Sequence, residues 1–130
     1  MKHLLFIILA CLALTACSEG VSREELASLA ARGYYQHLAS GEYEQFLEGK
    51  AGMSEDFPPL YREQLLTACK QFVAQQQRDH QGIRDVQIAS VKTDSLQPYT
   101  NVFLTLCFGD STSEEIVVPM VEHEGKWRMK

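Results

Sequence analysis

The sequence predicts an α+β domain in which N-terminal helices pack on the concave face of a curved, four-stranded antiparallel sheet. Three observations predict it. Apolar residues recur at three- and four-residue spacing from Ser22 to about His80, they alternate after Gly82, and the connections between the alternating runs are short enough to be hairpins. A chain of 130 residues that is 45% hydrophobic can bury one core and divides poorly into two. Its formal net charge of −5 argues against a surface built to neutralise phosphates, so nucleic acid is not expected as a partner.

At the N-terminus, Met1-Lys2-His3 precedes an unbroken apolar run from Leu4 to Leu14. The run is well short of the roughly 20 residues a membrane-spanning helix needs, and a basic start followed by such a run is the pattern of an export signal. Leu14-Thr15-Ala16-Cys17 follows at once and resembles a bacterial lipobox. The expected division is therefore a signal peptide over 1–16, a lipidated Cys17 with a short tether over 17–21, and one domain over 22–130. Cys11, behind Ile8-Leu9-Ala10, is a weaker candidate because cleavage there leaves a greasy stretch on the mature chain. The resemblance implies a diacylglyceryl thioether and an N-acyl chain on Cys17, and more than one acyl chain gives stable anchoring. It also implies a cell-envelope location, with the outer membrane favoured over the inner because Ser18 stands where an Asp would signal retention. Cleavage removes Lys2 and no acid, so the mature domain is more acidic still.

The first helix is expected over 22–40. Ser22-Arg23-Glu24-Glu25 reads as a capping box, Leu26, Leu29, Ala30, Gly33, Tyr34, His37 and Leu38 form an apolar stripe, and Gly41 supplies the stop. A short second helix spans Glu42 to Glu48 and ends at Gly49; Lys50 to Phe57 reads as a loop or short edge segment. Pro58-Pro59 opens a third helix, since a first turn tolerates proline, and Leu65, Ala68, Cys69, Phe72 and Val73 mark its apolar side as far as His80.

Four strands follow, carrying Val86 and Ile88, then Val102, Leu104, Leu106 and Phe108, then Ile116, Val118 and Met120, then Trp127 and Met129. Gln97-Pro98, Gly109 to Ser113 and His123-Glu124-Gly125 provide turn chemistry between them. Connections this short impose antiparallel pairing.

This layout resembles the nuclear-transport-factor-2-like (cystatin-like) superfamily, and in particular small bacterial lipoproteins of unknown function with such a domain. The residues that carry the resemblance are Tyr34-Tyr35, the stretch Ser40-Gly41-Glu42-Tyr43-Glu44-Gln45-Phe46, and the ending Val118-Pro119-Met120-Val121 with Gly125-Lys126-Trp127-Arg128-Met129. It implies a cone-shaped fold more securely than an activity, because one fold hosts many functions. Enzymes of the superfamily, isomerases and dehydratases, place an acid–base pair inside the cone. The strands of this sequence offer no ionisable residue on their inward face. His37 with Tyr34 one turn before it is the only candidate base and partner, and the alternative is that His37 sits at the edge of the stripe and bonds a neighbour. Tyr34, His37 and Tyr61 are the expected lining of any open pocket; a cone filled by Leu, Phe and Trp127 would instead indicate an interaction protein.

The expected function is a non-catalytic ligand-binding or protein-interaction module on the membrane, with a small cone-pocket enzyme as the alternative. No metal or other cofactor is expected: His80 and His123 stand alone near turns, and Gly49-Lys50-Ala51-Gly52 lacks the form of a phosphate loop. Lys126, Arg128 and Lys130 form a basic stripe that would protect a strand edge. Cys69 and Cys107 could form a disulfide in an exported chain, although strand parity turns Cys107 away from the helices unless a bulge shifts the phase. The same parity leaves Phe103, Thr105, Val117, Pro119 and Val121 on an outer sheet face, a patch suited to a homodimer or another envelope protein.

Overall fold

A computed structural model of the chain describes residues 20–53 and 57–130. The expected signal peptide and its lipidation site Cys17 lie outside the described residues. Among the described residues three helices, α1 (Arg23–Ala39), α2 (Tyr43–Glu48) and α3 (Pro59–His80), precede four strands, β1 (Ile83–Thr93), β2 (Thr100–Phe108), β3 (Ser113–His123) and β4 (Lys126–Met129). The strands form one sheet in the order β1-β2-β3-β4, antiparallel throughout, with the helices on one face. The α+β architecture read from the sequence is the one observed.

The ends of α1 follow from local chemistry. The Ser22 hydroxyl accepts the Glu25 amide at 3.1 Å, relieving one of the first-turn donors that have no partner within the helix. At the other end Gly41, at φ 79°, takes the left-handed conformation that glycine adopts without a Cβ penalty. Its amide donates to the Leu38 carbonyl at 3.2 Å and the Glu42 amide to the His37 carbonyl at 2.9 Å, the paired bonds of a Schellman stop.

The buried face of α1 differs from the expected stripe. Ala27, Ser28, Ala31 and Leu38 are buried, whereas Leu26 and Leu29 are 44% and 50% exposed. The helix lies across the sheet and touches all four strands. Small side chains permit that close approach, and the larger leucines are turned outward. The buried Ser28 hydroxyl is satisfied by donating to the Glu25 carbonyl at 2.8 Å.

Strand parity is as expected. Val86, Val102, Leu104, Leu106, Phe108, Val118, Met120, Trp127 and Met129 are buried against Ala27 and Ala31, and these side chains fill the space between helices and sheet. Irregularities of register occur in β1, between Ile83 and Asp85 and between Ile88 and Ser90, while β2 and β3 pair without interruption. No bulge therefore alters the phase of Phe103, Thr105, Cys107, Pro119 or Val121, which are half-buried on the outer face; Val117 there is 52% exposed.

β4 is short but held on both sides. It pairs with β3 and makes a parallel bridge to Lys50, with the Met129 amide donating to the Gly49 carbonyl and the Ala51 amide to the Met129 carbonyl. Glycine suits that position, because a Cβ at Gly49 would clash with the Cγ, Cδ1 and Cε1 carbons of the Tyr34 ring.

Candidate functional site

β4 covers only Met120 to His123 of its neighbour, and the Lys130 amide then closes on the Pro119 carbonyl at 2.9 Å. From Ser113 to Val118, β3 has β2 on one side and, among the described residues, no strand on the other. Backbone groups alternate in direction along a strand, so the edge that presents the Pro119 carbonyl also presents the N–H and C=O of Val117 and Glu115. Pro119 itself offers no N–H, which blunts one position of this edge.

Beside the edge runs α3. The space between them is an open, largely apolar groove of about 340 Å³, a volume typical of binding sites. Leu65, Cys69 and Phe72 of α3 form one wall, Val117, Val118 and Pro119 of β3 another, and Tyr35, Leu38 and Phe46 contribute from α1 and α2. Phe46 meets the Tyr35 ring edge-on at 5.3 Å between centroids, which fixes both rings. Lys50 and Lys130 are the charged members of the lining.

Its two other ionisable groups are held neutral. Burial pushes the Tyr35 phenol up from its ordinary value, and the neighbouring Cys69 adds to that rise. Burial likewise raises the Cys69 thiol, against a smaller opposing pull from Lys50. A thiol kept protonated is a poor nucleophile, and the groove can bind apolar groups but has no poised acid–base pair.

The three residues expected to line a pocket are not brought together, and none of them lines this groove. The Tyr34 hydroxyl donates to the Trp127 carbonyl at 2.7 Å, so its phenol braces α1 against β4. His37 lies at the helix end with Nδ1 3.2 Å from Glu42 Oε1 and a side chain 41% exposed, which is the neighbour-bonding alternative of the sequence reading. Tyr61 is 41% exposed and rests on Phe57 at 4.8 Å.

Other candidates have structural surroundings. His80 stacks on Phe108 at 4.5 Å and places Nδ1 3.1 Å from Asp110 Oδ2, tying the end of α3 to the β2–β3 turn. His123 is 3.8 Å from Glu124 Oε1 at the surface. Cys69 and Cys107 are free thiols, Cys69 buried in the groove wall and Cys107 on the outer sheet face. The basic stripe is partly engaged, with Arg128 donating to the Glu48 carbonyl at 3.0 Å and the Lys130 ammonium 4.3 Å from the Tyr99 ring centroid. Among the described residues no group of three or more His, Cys, Asp or Glu gathers as a metal site, and no helix is long and apolar enough to cross a membrane.

The groove was missed by sequence reasoning because its walls come from separate segments that only the fold brings together. One signal pointed to it. A proline inside an alternating apolar run marks a strand with a free edge, and Pro119 stands at the point where β4 stops covering β3.

No protein-family profile matches the sequence, and no curated protein matches it. Among solved structures, a Campylobacter jejuni protein provisionally named an NTF2-like transpeptidase aligns with a TM-score of 0.61 at 16% identity, over 76% of this chain and 92% of that one. At that identity the likeness concerns the fold alone. Helices on one face of a four-stranded antiparallel sheet, in this order and with this similarity, give the chain an NTF2-like α+β fold.

Proposed function

We propose that this chain is a lipid-anchored, non-catalytic binding module of the cell envelope, and that the groove between α3 and the free edge of β3 takes an extended apolar segment of a partner protein. The observation that carries the reading is the placement of an apolar groove directly against a strand edge that is unpaired among the described residues. Strand addition uses that combination: main-chain groups of the edge supply hydrogen bonds, and the adjoining groove accepts alternate side chains. The filled helix–sheet interface supports binding at the edge over chemistry in a cone, as does the engagement of Tyr34 with the Trp127 carbonyl and of His37 with Glu42 rather than with a shared pocket.

A photo-crosslinking amino acid at Ala68, which lines the groove, tests this in the native envelope. The expected result is a discrete protein adduct that Val117→Pro abolishes, since Val117 would then lose an edge N–H; only lipid adducts, or none, would refute it. The anchor is tested separately. Cys17→Ala should lose incorporation of a fatty-acid probe, and continued labelling would count against anchoring through that residue.

The outer sheet face supports a second contact. Val117 belongs both to the groove and to the patch with Phe103, Pro119 and Val121, so apolar surface continues around the β3 edge. A self-complementary dimer would cover the patch across a two-fold axis. Sedimentation of the soluble domain should then give a dimer at about 100 micromolar that Phe103→Glu dissociates; a monomer at that concentration removes the dimer.

A further inference from the structure

We infer that the end of the domain formed by the start of α1 and the β1–β2 loop inserts apolar side chains into the bilayer surface, with Leu96 and Val21 as the contacts. The inference rests on the anchoring reading above and adds to it an orientation and a contact surface.

Leu96 is 92% exposed, the most exposed of the large apolar residues described, and Val21 is 56% exposed immediately before the helix cap. Isolated exposed leucines are common, but these two lie at the same end of the fold. The Thr93 hydroxyl donates to Glu24 Oε1 at 2.8 Å, fastening the start of the β1–β2 loop to the first turn of α1. Arg23 and Glu24 share a cavity with Gln97, Pro98 and Tyr99 of the same loop. Arg23 also reaches Glu122 at 3.7 Å, so the first turn of α1 is pinned across the end of the sheet.

Chain length supplies the occupant. Val21 is four residues from Cys17, a span of at most about 14 Å, so acyl chains on Cys17 would bring this end of the domain down to the lipid. The opposite end, with the β2–β3 turn, is farther from the anchor by the length of β2, about 30 Å for nine residues. Leu26, 44% exposed, is a further apolar side chain in the first turn of α1. Charge does not drive the contact. Glu24, Asp94, Glu122 and Glu124 lie at this end together with Arg23, Lys92, Lys126 and the Lys130 ammonium over Tyr99, so acids and bases balance and the end carries no excess positive charge for anionic headgroups to recognise. Insertion should therefore occur on zwitterionic bilayers and resist added salt.

The test uses the full-length lipidated protein in phosphatidylcholine vesicles containing a shallow quencher-labelled lipid. In a Cys107→Ser background, which leaves Cys69 buried, an environment-sensitive fluorophore is placed by Ser95→Cys beside Leu96 or by Ser113→Cys at the far end. The expected result is quenching and a blue shift at position 95, neither at position 113, no change with salt, and loss of the position-95 signal on Leu96→Glu while the protein still floats with the vesicles. Flotation without quenching at 95, equal quenching at both positions, or quenching that survives Leu96→Glu overturns the proposal and leaves the anchor standing. Failure of the unmodified protein to float overturns the anchor, and the inserted loop with it.

Discussion

Gly49→Ala should destabilise the domain by about 1–2 kcal/mol, and the reason can be separated from backbone effects. Gly49 has φ −76° and ψ −8°, a conformation open to alanine. Backbone entropy alone would make the change stabilising by about 0.4–1 kcal/mol. The opposing effect is steric, because the new Cβ clashes with the Cγ, Cδ1 and Cε1 carbons of the Tyr34 ring, and that ring cannot swing away without breaking its hydroxyl bond to the Trp127 carbonyl, 2.7 Å long. Overpacking of this kind costs about 1–3 kcal/mol, which outweighs the entropic gain. In a Tyr34→Ala background the obstacle is gone, and Gly49→Ala should stabilise by the backbone amount. The two substitutions should therefore couple by about 2 kcal/mol, within the range found for residues in contact. Urea unfolding of the four chains of this cycle measures it, with midpoints moving and m-values constant. If Gly49→Ala stabilises the otherwise unaltered domain, or has the same effect in both backgrounds, the packing of Tyr34 against Gly49 is wrong.

Three further outcomes follow from the described contacts. Leu104→Ala, at a fully buried site, should cost about 2–5 kcal/mol in the same urea assay, whereas Val117→Ala, half exposed on the outer face, should stay within about 0.5 kcal/mol; comparable losses would refute the strand parity. The hydroxyl and amide of Thr112, and more weakly His80, hold the Asp110 carboxyl below its ordinary value. A carboxyl lowered in the folded state stabilises above its unfolded value, near pH 4, and loses that contribution as pH falls through the folded one. Asp110→Asn should flatten the acid limb of the stability profile, and an unchanged limb would refute the contact. In the domain lacking residues 1–17 a thiol reagent should find two reactive groups, Cys107 fast and Cys69 only on unfolding or slow opening, with stability indifferent to reductant; the absence of titratable thiols would mean that the pair bonds.

The sheet was readable because β2 alternates buried and half-buried positions without a break, so side-chain period and strand geometry carry the same information. Helix α1 was less readable. Hydrophobic size pointed to Leu26 and Leu29, but a helix lying flat on a sheet selects for small residues, and Ala27 and Ala31 carry little signal in an apolar pattern. The candidate site was least readable, since the groove depends on how far β4 extends along β3. Four residues of strand against eleven decide it, and no side chain announces where the ladder stops. His37 stood out because it is ionisable, yet its partner Glu42 is supplied by the bend after Gly41, a local contact that spacing alone did not single out.

The bridge between β4 and residues 49–51 also bears on how the chain reaches its fold. Arg128 bonds the Glu48 carbonyl, 80 residues back in sequence, and Met129 bonds Gly49 and Ala51 beside it. These contacts close the domain between its first half and its last strand. A nascent chain lacking β4 has no partner for that segment, leaves Met120 without its neighbour, and keeps the Tyr34 hydroxyl from its Trp127 partner. Closure must therefore wait for the final strand, and contacts so distant in sequence form slowly because loop closure precedes their reward. Until β4 arrives the domain should stay unclosed, and the arrival of that strand should act as the latch.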